Sequence, residues 1–137
     1  MRRAAGHRIG LGLIVCLLDT APMAEPLSGE ALFAVACEAC HSLGPEPDHR
    51  IGPPLGGLHG RKAAGVRGFG YSPALQASGW VWTLPTTVAW LTDPDAAIPN
   101  NAMNYVNALN AEETQRLAEW RSEEHTSELQ SRPHISY

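Results

Sequence analysis

The pentapeptide Cys37-Glu38-Ala39-Cys40-His41 constrains this chain more than any other feature. Two thiols three residues apart on one helical turn can add to the two vinyl groups of a single porphyrin. The imidazole that follows them is then directed at the metal from the same side. This C-x-x-C-H pattern is that of a c-type haem attachment site. We therefore expect one covalent haem c and its iron, bound through Cys37, Cys40 and His41.

Two other chemistries use a pair of closely spaced cysteines. A thioredoxin-like redox pair requires a βαβ setting, and the chain shows no strand-like alternation of any length. A structural zinc site would need two further ligands, drawing on His49 or His59, and no second paired motif is present. Haem attachment is therefore the favoured interpretation.

The haem iron has a second axial position, and Met103 is our prediction for it. It lies 62 residues after His41 and is the only methionine beyond residue 24. It occurs in a Pro- and Asn-rich loop, where a core-filling role is unusual for methionine. His49 and His59 remain alternatives at this level, because bis-histidine ligation is established haem chemistry.

The N-terminus has the pattern of a secretory signal. A basic start precedes a short apolar run from Ile9 to Leu18, and small residues follow up to Ala24. The run is shorter than the roughly 20 apolar residues that span a bilayer. We predict that residues 1–24 are a signal peptide and that the protein is exported to the periplasm. The alternative is an uncleaved N-terminal segment that anchors the chain in the membrane.

The C-terminus differs in character from the rest of the chain. Eleven consecutive residues from Arg121 to Ser131 resemble the in-frame translation of a short-read sequencing adapter. The segment from Ser122 onwards also lacks apolar periodicity. We therefore expect residues 121–137 to be a non-native tail and residues 25–120 to be one haem-binding domain.

Charge and helix signals define the class of this domain. Residues 25–120 contain five Lys and Arg against ten Asp and Glu, a formal charge of −5, which argues against nucleic acid as a partner. Ser28, Pro73, Thr83 and Ala111 mark helix starts, separated by long Gly- and Pro-rich loops. These signals predict an all-α domain with a large loop fraction.

Residues 29–120 resemble the class I cytochrome c family, in particular its mitochondrial-type and bacterial soluble members. The order and spacing of the family's residues match throughout. The matching segments are Gly29, Phe33, Cys37 to His41, Gly52 to Lys62, Gly70 to Leu75, Gly79 to Trp82, Trp90 to Pro94, Ile98 to Met103, Leu117 and Trp120.

The resemblance implies the cytochrome c fold, in which a few helices and long loops surround one covalently bound haem. It implies a monohaem one-electron carrier of a periplasmic electron-transport chain, and no enzyme activity. It also supports Met103 as the axial ligand opposite His41. Gly29 and Phe33 should lie where the first and last helices cross, facing Leu117 and Trp120.

The resemblance also implies roles for residues around the haem. Pro53 should support the His41 imidazole through its carbonyl group, which fixes the orientation of the ligand. Arg61, Tyr71 and Trp82 should meet the haem propionates, because buried carboxylates need hydrogen-bond donors.

Departures from the family pattern concern the partners. The family's Pro-Gly-x-Lys-Met loop reads Pro99-Asn100-Asn101-Ala102-Met103, and Asn100 can adopt the left-handed backbone that glycine favours. Lys62 is the only lysine, so a docking ring of lysines is absent. We expect redox proteins as electron donor and acceptor, a monomer, and membrane association only through a complex.

Three alternative functions remain open at this level. The chain could be a cytochrome subunit of a larger dehydrogenase or oxidase complex. It could act as a peroxidase if Met103 leaves the iron. It could also be a zinc-binding structural module.

Overall fold

The computed structural model describes residues 25–44 and 49–131, with side chains as far as residue 123. The predicted signal peptide, 1–24, lies outside these residues. Five helices follow in chain order: α1 (Gly29–Ala36), α2 (Pro73–Ala77), α3 (Leu84–Thr92), α4 (Pro94–Ala97) and α5 (Ala111–Ser131). In the described segments the β pairing is confined to one antiparallel bridge between Lys62 and Val81. The predicted all-α class is confirmed, and no described helix has the length and apolarity to cross a bilayer.

Helices α1 and α3 begin at the predicted residues Ser28 and Thr83, and α2 begins at the predicted Pro73 with Ser72 as its cap. The Ser28 side chain accepts a hydrogen bond from the α1 backbone at 3.2 Å, and Ser72 accepts one from the α2 backbone at 3.3 Å. Thr83 and Thr86 form a reciprocal capping box at the start of α3. Each cap satisfies a backbone N–H group that has no partner within the helix.

Two helical segments differ from the sequence prediction. The loop expected after Pro94 begins with the short helix α4, because the Asp93 carboxylate accepts a hydrogen bond from the Ala96 N–H group at 3.0 Å. Helix α5 continues through Arg121 to Ser131, so the predicted tail is helical over its first eleven residues. Glutamate, glutamine and leucine in that stretch are good helix formers, whatever the segment's origin.

Helices α1 and α5 cross at a glycine and form the part of the core that positions the site. A Cβ atom on Gly29 would lie 2.2 Å from the Trp120 Cβ, so no larger residue fits at this crossing. The Phe33 and Trp120 ring centroids are 5.7 Å apart, and Leu117 is buried beside them. The predicted contact of Gly29 and Phe33 with the last helix is confirmed. Helix α3 packs on α5 as well.

Candidate haem and iron site

The C-x-x-C-H motif begins where α1 ends. Cys37 is the C-terminal cap of α1, and the N–H groups of Cys40 and His41 both donate to its carbonyl oxygen, at 3.0 and 2.9 Å. This tight turn brings the two thiols and the imidazole onto one short segment. Cys37 is buried, Cys40 is half-buried, and neither forms a disulfide.

The environment of Cys37 disfavours the thiolate. Burial raises the pKa of its thiol to about 11; Arg121 opposes this rise and Cys40 adds to it. Redox-active and metal-binding cysteines have the opposite property, a depressed pKa. In the described part of the chain, moreover, no three His, Cys, Asp or Glu side chains form a group able to hold a metal ion. The geometry therefore gives no support to the thioredoxin-like and zinc alternatives.

The His41 imidazole is oriented by its neighbours on the chain. Its Nδ1 atom lies 2.8 Å from the Pro53 carbonyl oxygen, which can only accept, so Nδ1 carries the proton. The Nε2 lone pair is then available to a metal. Burial lowers the pKa of His41, against the opposing effect of the Pro53 bond, so the ring is neutral at neutral pH. The role of Pro53 as the support of an iron ligand stays a prediction.

Gly52 shapes the wall against which the imidazole rests. A Cβ atom at this position would lie 2.2 Å from the His41 Cε1 and 2.8 Å from its Nε2. The Gly52 N–H group donates to the Cys40 carbonyl oxygen at 2.8 Å. The backbone of this segment thus approaches the ring as closely as glycine allows and fixes its plane.

Met103 lies in the loop between α4 and α5, where side chains hold it. Its Sδ atom accepts a hydrogen bond from the Trp90 indole Nε1–H at 3.1 Å, and its backbone N–H donates to the Asn101 Oδ1 at 2.8 Å. The Asn101 amide donates in turn to the Pro94 and Ile98 carbonyl oxygens, each at 3.0 Å.

The backbone of Asn100 has the left-handed conformation, with a φ angle of 62°. The left-handed backbone expected for Asn100 is therefore confirmed.

The three residues predicted to meet the propionates lie in two places. Trp82 is buried edge-on against Trp90, with 5.5 Å between ring centroids, and its backbone N–H group donates to the Arg61 carbonyl oxygen at 3.0 Å. The Arg61 guanidinium donates to the Gly56 and Pro54 carbonyl oxygens, each at 3.1 Å. Trp82 and Arg61 thus form one unit next to Trp90, the residue that contacts Met103.

Tyr71 belongs to a separate aromatic cluster. Its ring packs edge-on against Phe69 at 4.8 Å, and Phe69 packs against His49 at 5.7 Å. His49, an alternative axial ligand from sequence, is half-buried in this cluster. The propionate roles of Arg61, Tyr71 and Trp82 stay predictions.

Sequence reasoning missed three contributions to the site. It named Trp90 only as part of a matching segment, without its bond to the Met103 sulfur, and it gave Asn101 no role. Two asparagines in a Pro-rich loop were the available signal, because Asn side chains hydrogen-bond to nearby backbone. Arg121, assigned to the tail, is instead buried with its guanidinium over the Phe33 and Trp120 rings, at 5.7 and 5.3 Å.

The donor set fits a haem. Two thiols on one turn, an imidazole whose Nε2 lone pair is available and a thioether sulfur on a separate loop match covalent attachment and His/Met ligation of haem iron. Together with the helical, loop-rich fold, they define the class of protein as a c-type cytochrome.

Comparisons with known proteins agree with this class. The chain is 35% identical over 113 residues to cytochrome c2 of Blastochloris viridis, an alignment that covers 81% of this chain and 88% of that protein. It is 37% identical over 90 residues to cytochrome c-550 of Nitrobacter winogradskyi, with 66% and 82% covered. The solved structure of cytochrome cH from Methylobacterium extorquens superimposes with a TM-score of 0.63 at 30% identity, covering 69% of this chain and 94% of that one. No protein-family profile matches the chain.

This chain therefore belongs to the class I c-type cytochrome family. It has the cytochrome c fold and is a monohaem electron carrier with one covalent haem c and its iron. The predicted fold class, cofactor and function are confirmed at this level.

Proposed function

We propose that Cys37 and Cys40 attach the haem and that His41 and Met103 are its two axial ligands. The observation that carries the proposal is the bond from the His41 Nδ1–H to the Pro53 carbonyl, within the attachment motif. It fixes the tautomer that leaves Nε2 free for iron and orients the ring beside the two thiols. The Trp90 indole, which holds the Met103 sulfur, supports the second ligand.

Under this proposal the chain's own groups set the properties of the bound cofactor. The haem supplies the Fe(III)/Fe(II) couple. Pro53 orients the imidazole, Trp90 and Asn101 hold the thioether, and burial lowers the local dielectric constant. A histidine–methionine pair favours a higher reduction potential than two histidines. Arg61, Tyr71 and Trp82 are proposed to donate to the propionates once these carboxylates are present.

We further propose a carrier and not an enzyme. With His41 and Met103 both bound, the iron has no open position for a substrate. The relatives are likewise named as cytochromes c2, c-550 and c. The partners are redox proteins that donate and accept single electrons, and the chain acts as a monomer.

The cellular location follows from the predicted domain organisation. Residues 1–24 direct export, and residues 25–120 form the cytochrome c domain in the periplasm. Residues 121–137 are proposed to be non-native. Retention of 1–24 as a membrane anchor is the alternative; mass spectrometry of the mature protein distinguishes the two by the presence or absence of those residues.

The proposal is tested on protein produced with haem-attachment machinery. A haem-stained denaturing gel should show pigment that stays with the chain, and acidified solvent should not extract it. The Cys37→Ser/Cys40→Ser double variant should release all of its pigment. Met103→Ala should lose the sulfur–iron charge-transfer band and lower the potential, whereas the exposed neighbour variant Asn104→Ala should keep both. A colourless wild-type protein, or an unchanged Met103→Ala spectrum, would refute the assignment.

A further inference from the structure

Three of the four tryptophans in the chain form a continuous series of ring contacts. The Trp80 and Trp82 ring centroids are 6.5 Å apart, and those of Trp82 and Trp90 are 5.5 Å apart, both in edge-to-face geometry. The Trp90 indole then donates to the Met103 sulfur at 3.1 Å. The series therefore runs from Trp80 to the thioether that we propose as an iron ligand.

The backbone explains why these rings are aligned. Trp80 and Trp82 are two residues apart in a stretch that pairs with a neighbouring segment, so their side chains lie on the same side of it. The Ala63 N–H donates to the Trp80 carbonyl oxygen at 2.8 Å, and the Trp82 backbone N–H donates to the Arg61 carbonyl oxygen at 3.0 Å. Helix α3 begins directly after this stretch, and its buried residues include Trp90. Main-chain bonds and helix packing thus fix all three rings.

The three indoles differ in exposure. Trp82 and Trp90 are buried, with 8% and 6% of their surface exposed, whereas Trp80 is half-buried. A small solute can therefore reach the Trp80 ring, while the two inner rings are shielded from water. The series has one end open to solvent and the other end at Met103.

The Trp80 indole is suited to the transfer of an electron alone. Its Nε1 atom is buried and has no hydrogen-bond partner among the described residues. Because no acceptor receives the N–H proton there, an oxidised Trp80 keeps this proton and remains a radical cation. Its reduction then requires one electron and no proton.

Indole chemistry makes such a series a route for oxidation. Indole is the aromatic side-chain group that loses an electron most readily without losing a proton. The rate of electron transfer falls steeply with distance, so several short steps between rings in contact are faster than a single long step. The phenyl ring of phenylalanine cannot take part, because it is much harder to oxidise.

We propose that Trp80, Trp82 and Trp90, here called the tryptophan row, carry single oxidising equivalents from the protein surface to the haem. A radical one-electron oxidant takes an electron from Trp80 and leaves as its anion. Electrons then move from Trp82 to Trp80, from Trp90 to Trp82, and from the reduced haem to Trp90. In sum, one Fe(II) becomes Fe(III), one radical is reduced, and all three indoles are restored.

The tryptophan row gives the chain a second activity beside electron transfer between redox partners. The reduced haem repairs an oxidised residue at the surface before that residue reacts irreversibly with oxygen or water. The inference rests on the proposed ligation by Met103, which places the iron at the inner end of the row.

Pulse radiolysis with the azide radical tests the row in reduced, haem-loaded protein. The azide radical takes one electron from an indole and becomes the azide anion. In the wild type we expect the absorbance of the indole radical to decay in a fast first-order phase. The rate of this phase should equal the rate of Fe(III) formation and should not depend on the protein concentration.

Phenylalanine variants separate the entry point of the row from its interior. Trp80→Phe removes the entry point, so the fast phase should lose most of its amplitude. Trp82→Phe keeps the entry point and interrupts the row, so the radical should still form. Its fast phase should slow by about tenfold or more, which corresponds to a barrier higher by about 1.4 kcal/mol or more.

Trp120→Phe is the matched control. Trp120 is also half-buried, but its ring packs against Phe33 at the crossing of α1 and α5. Any radical formed on Trp120 lies outside the row, so the fast phase should keep its rate and amplitude in this variant.

The outcomes separate this inference from the proposed function. An unchanged fast phase in Trp80→Phe and Trp82→Phe, an equal slowing in Trp120→Phe, or a wild-type decay that depends on protein concentration would overturn the tryptophan row. The visible spectrum recorded before each pulse shows whether the haem and the sulfur–iron band are intact, and if so the proposed ligation stands. Absence of covalent haem or of this band in the wild type would instead overturn the proposed function itself.

Discussion

The two sides of the site are held in different ways. On the histidine side the contacts are made by the main chain. The His41 imidazole forms a hydrogen bond with the Pro53 carbonyl oxygen. The two backbone segments beside it are joined because the Gly52 and Leu55 N–H groups donate to the Cys40 and Ser42 carbonyl oxygens, each at 2.8 Å. On the methionine side, side chains make the contacts, because Met103 lies in a loop held by Asn101 and Trp90.

This contrast predicts different responses to substitution. A site held by main-chain hydrogen bonds should tolerate the loss of most side chains. It should be disrupted where an added atom pushes the two backbone segments apart. A loop held by side chains fails when one of those side chains is removed, since each leaves backbone groups without partners. The histidine side should therefore be sensitive to added volume, and the methionine side to lost hydrogen bonds.

Among these variants, Gly52→Ala should have the largest effect on haem attachment and ligation. Its new Cβ would overlap the His41 ring, and neither the ring nor the hydrogen-bonded backbone can move without breaking a contact. We expect almost no correctly ligated haem protein, measured as the yield of covalent haem and the ferric spectrum.

Gly70→Ala is the control for this substitution. No atom lies within 4 Å of a Cβ built at Gly70, and its φ is not in the left-handed region. We expect normal haem yield and unchanged or slightly higher stability, by about 0.4–1 kcal/mol. Normal ligation in Gly52→Ala would show that the histidine side is more plastic than its main-chain contacts indicate.

Asn101→Ala should have the next largest effect, and it should weaken the binding of Met103 to the haem iron. The variant loses the bond to the Met103 N–H and the two bonds to the Pro94 and Ile98 carbonyl oxygens. At roughly 0.5–1.5 kcal/mol per bond, we expect a loss of about 2–3 kcal/mol in the stability of methionine ligation. Titration with imidazole, which competes with the sulfur for the iron, measures it.

The neighbouring Asn104→Ala variant controls for the loss of an asparagine in the same loop. Asn104 is exposed, so the variant should resist imidazole as well as the wild type does. Equal sensitivity of the two variants would mean that loop composition matters more than the Asn101 bonds.

The sequence predicted the histidine side better than the methionine side, for a physical reason. Covalent attachment requires adjacent residues, so Cys37, Cys40 and His41 are visible as a local motif. The bond from Trp90 to Met103 joins residues 13 positions apart, and only the packing of α3 against the loop determines it. Helix starts were predictable because caps are local, whereas the burial of Arg121 depends on the crossing of α1 and α5.

Arg121→Leu should have a smaller effect, and it should raise the stability of the protein where the previous variants lower it. The buried guanidinium lies between aromatic rings and donates to the Leu55 carbonyl oxygen on the histidine side. Replacing a buried ion pair with well-packed apolar side chains is often neutral or stabilising by 1–4 kcal/mol, because the charges no longer have to be desolvated, and the same argument applies to this buried guanidinium. We expect the free energy of unfolding to rise by about 1–2 kcal/mol in denaturant titrations.

Arg116→Leu, on the same helix, is the matched control, because Arg116 is half-buried and its guanidinium bond to Leu27 is at the surface. We expect a change within about 0.5 kcal/mol. Higher stability of Arg121→Leu would show that an apolar residue suits this buried position better than arginine does. That result would support the proposal that the non-native tail begins at residue 121. A clear loss of stability would instead make Arg121 a structural part of the domain.

Trp90→Phe should have the smallest effect, because it keeps an aromatic ring in the core and removes the indole N–H. Thioether sulfur is a weak acceptor, so the lost bond contributes less than about 1 kcal/mol. The N–H group draws electron density from the sulfur, and without it the thioether donates more strongly and favours Fe(III). The reduction potential should therefore fall slightly, with the sulfur–iron band retained. Trp80→Phe removes a buried indole N–H that has no hydrogen-bond partner among the described residues, and it should leave the potential unchanged. Equal shifts in the two variants would assign the effect to core packing and not to the bond.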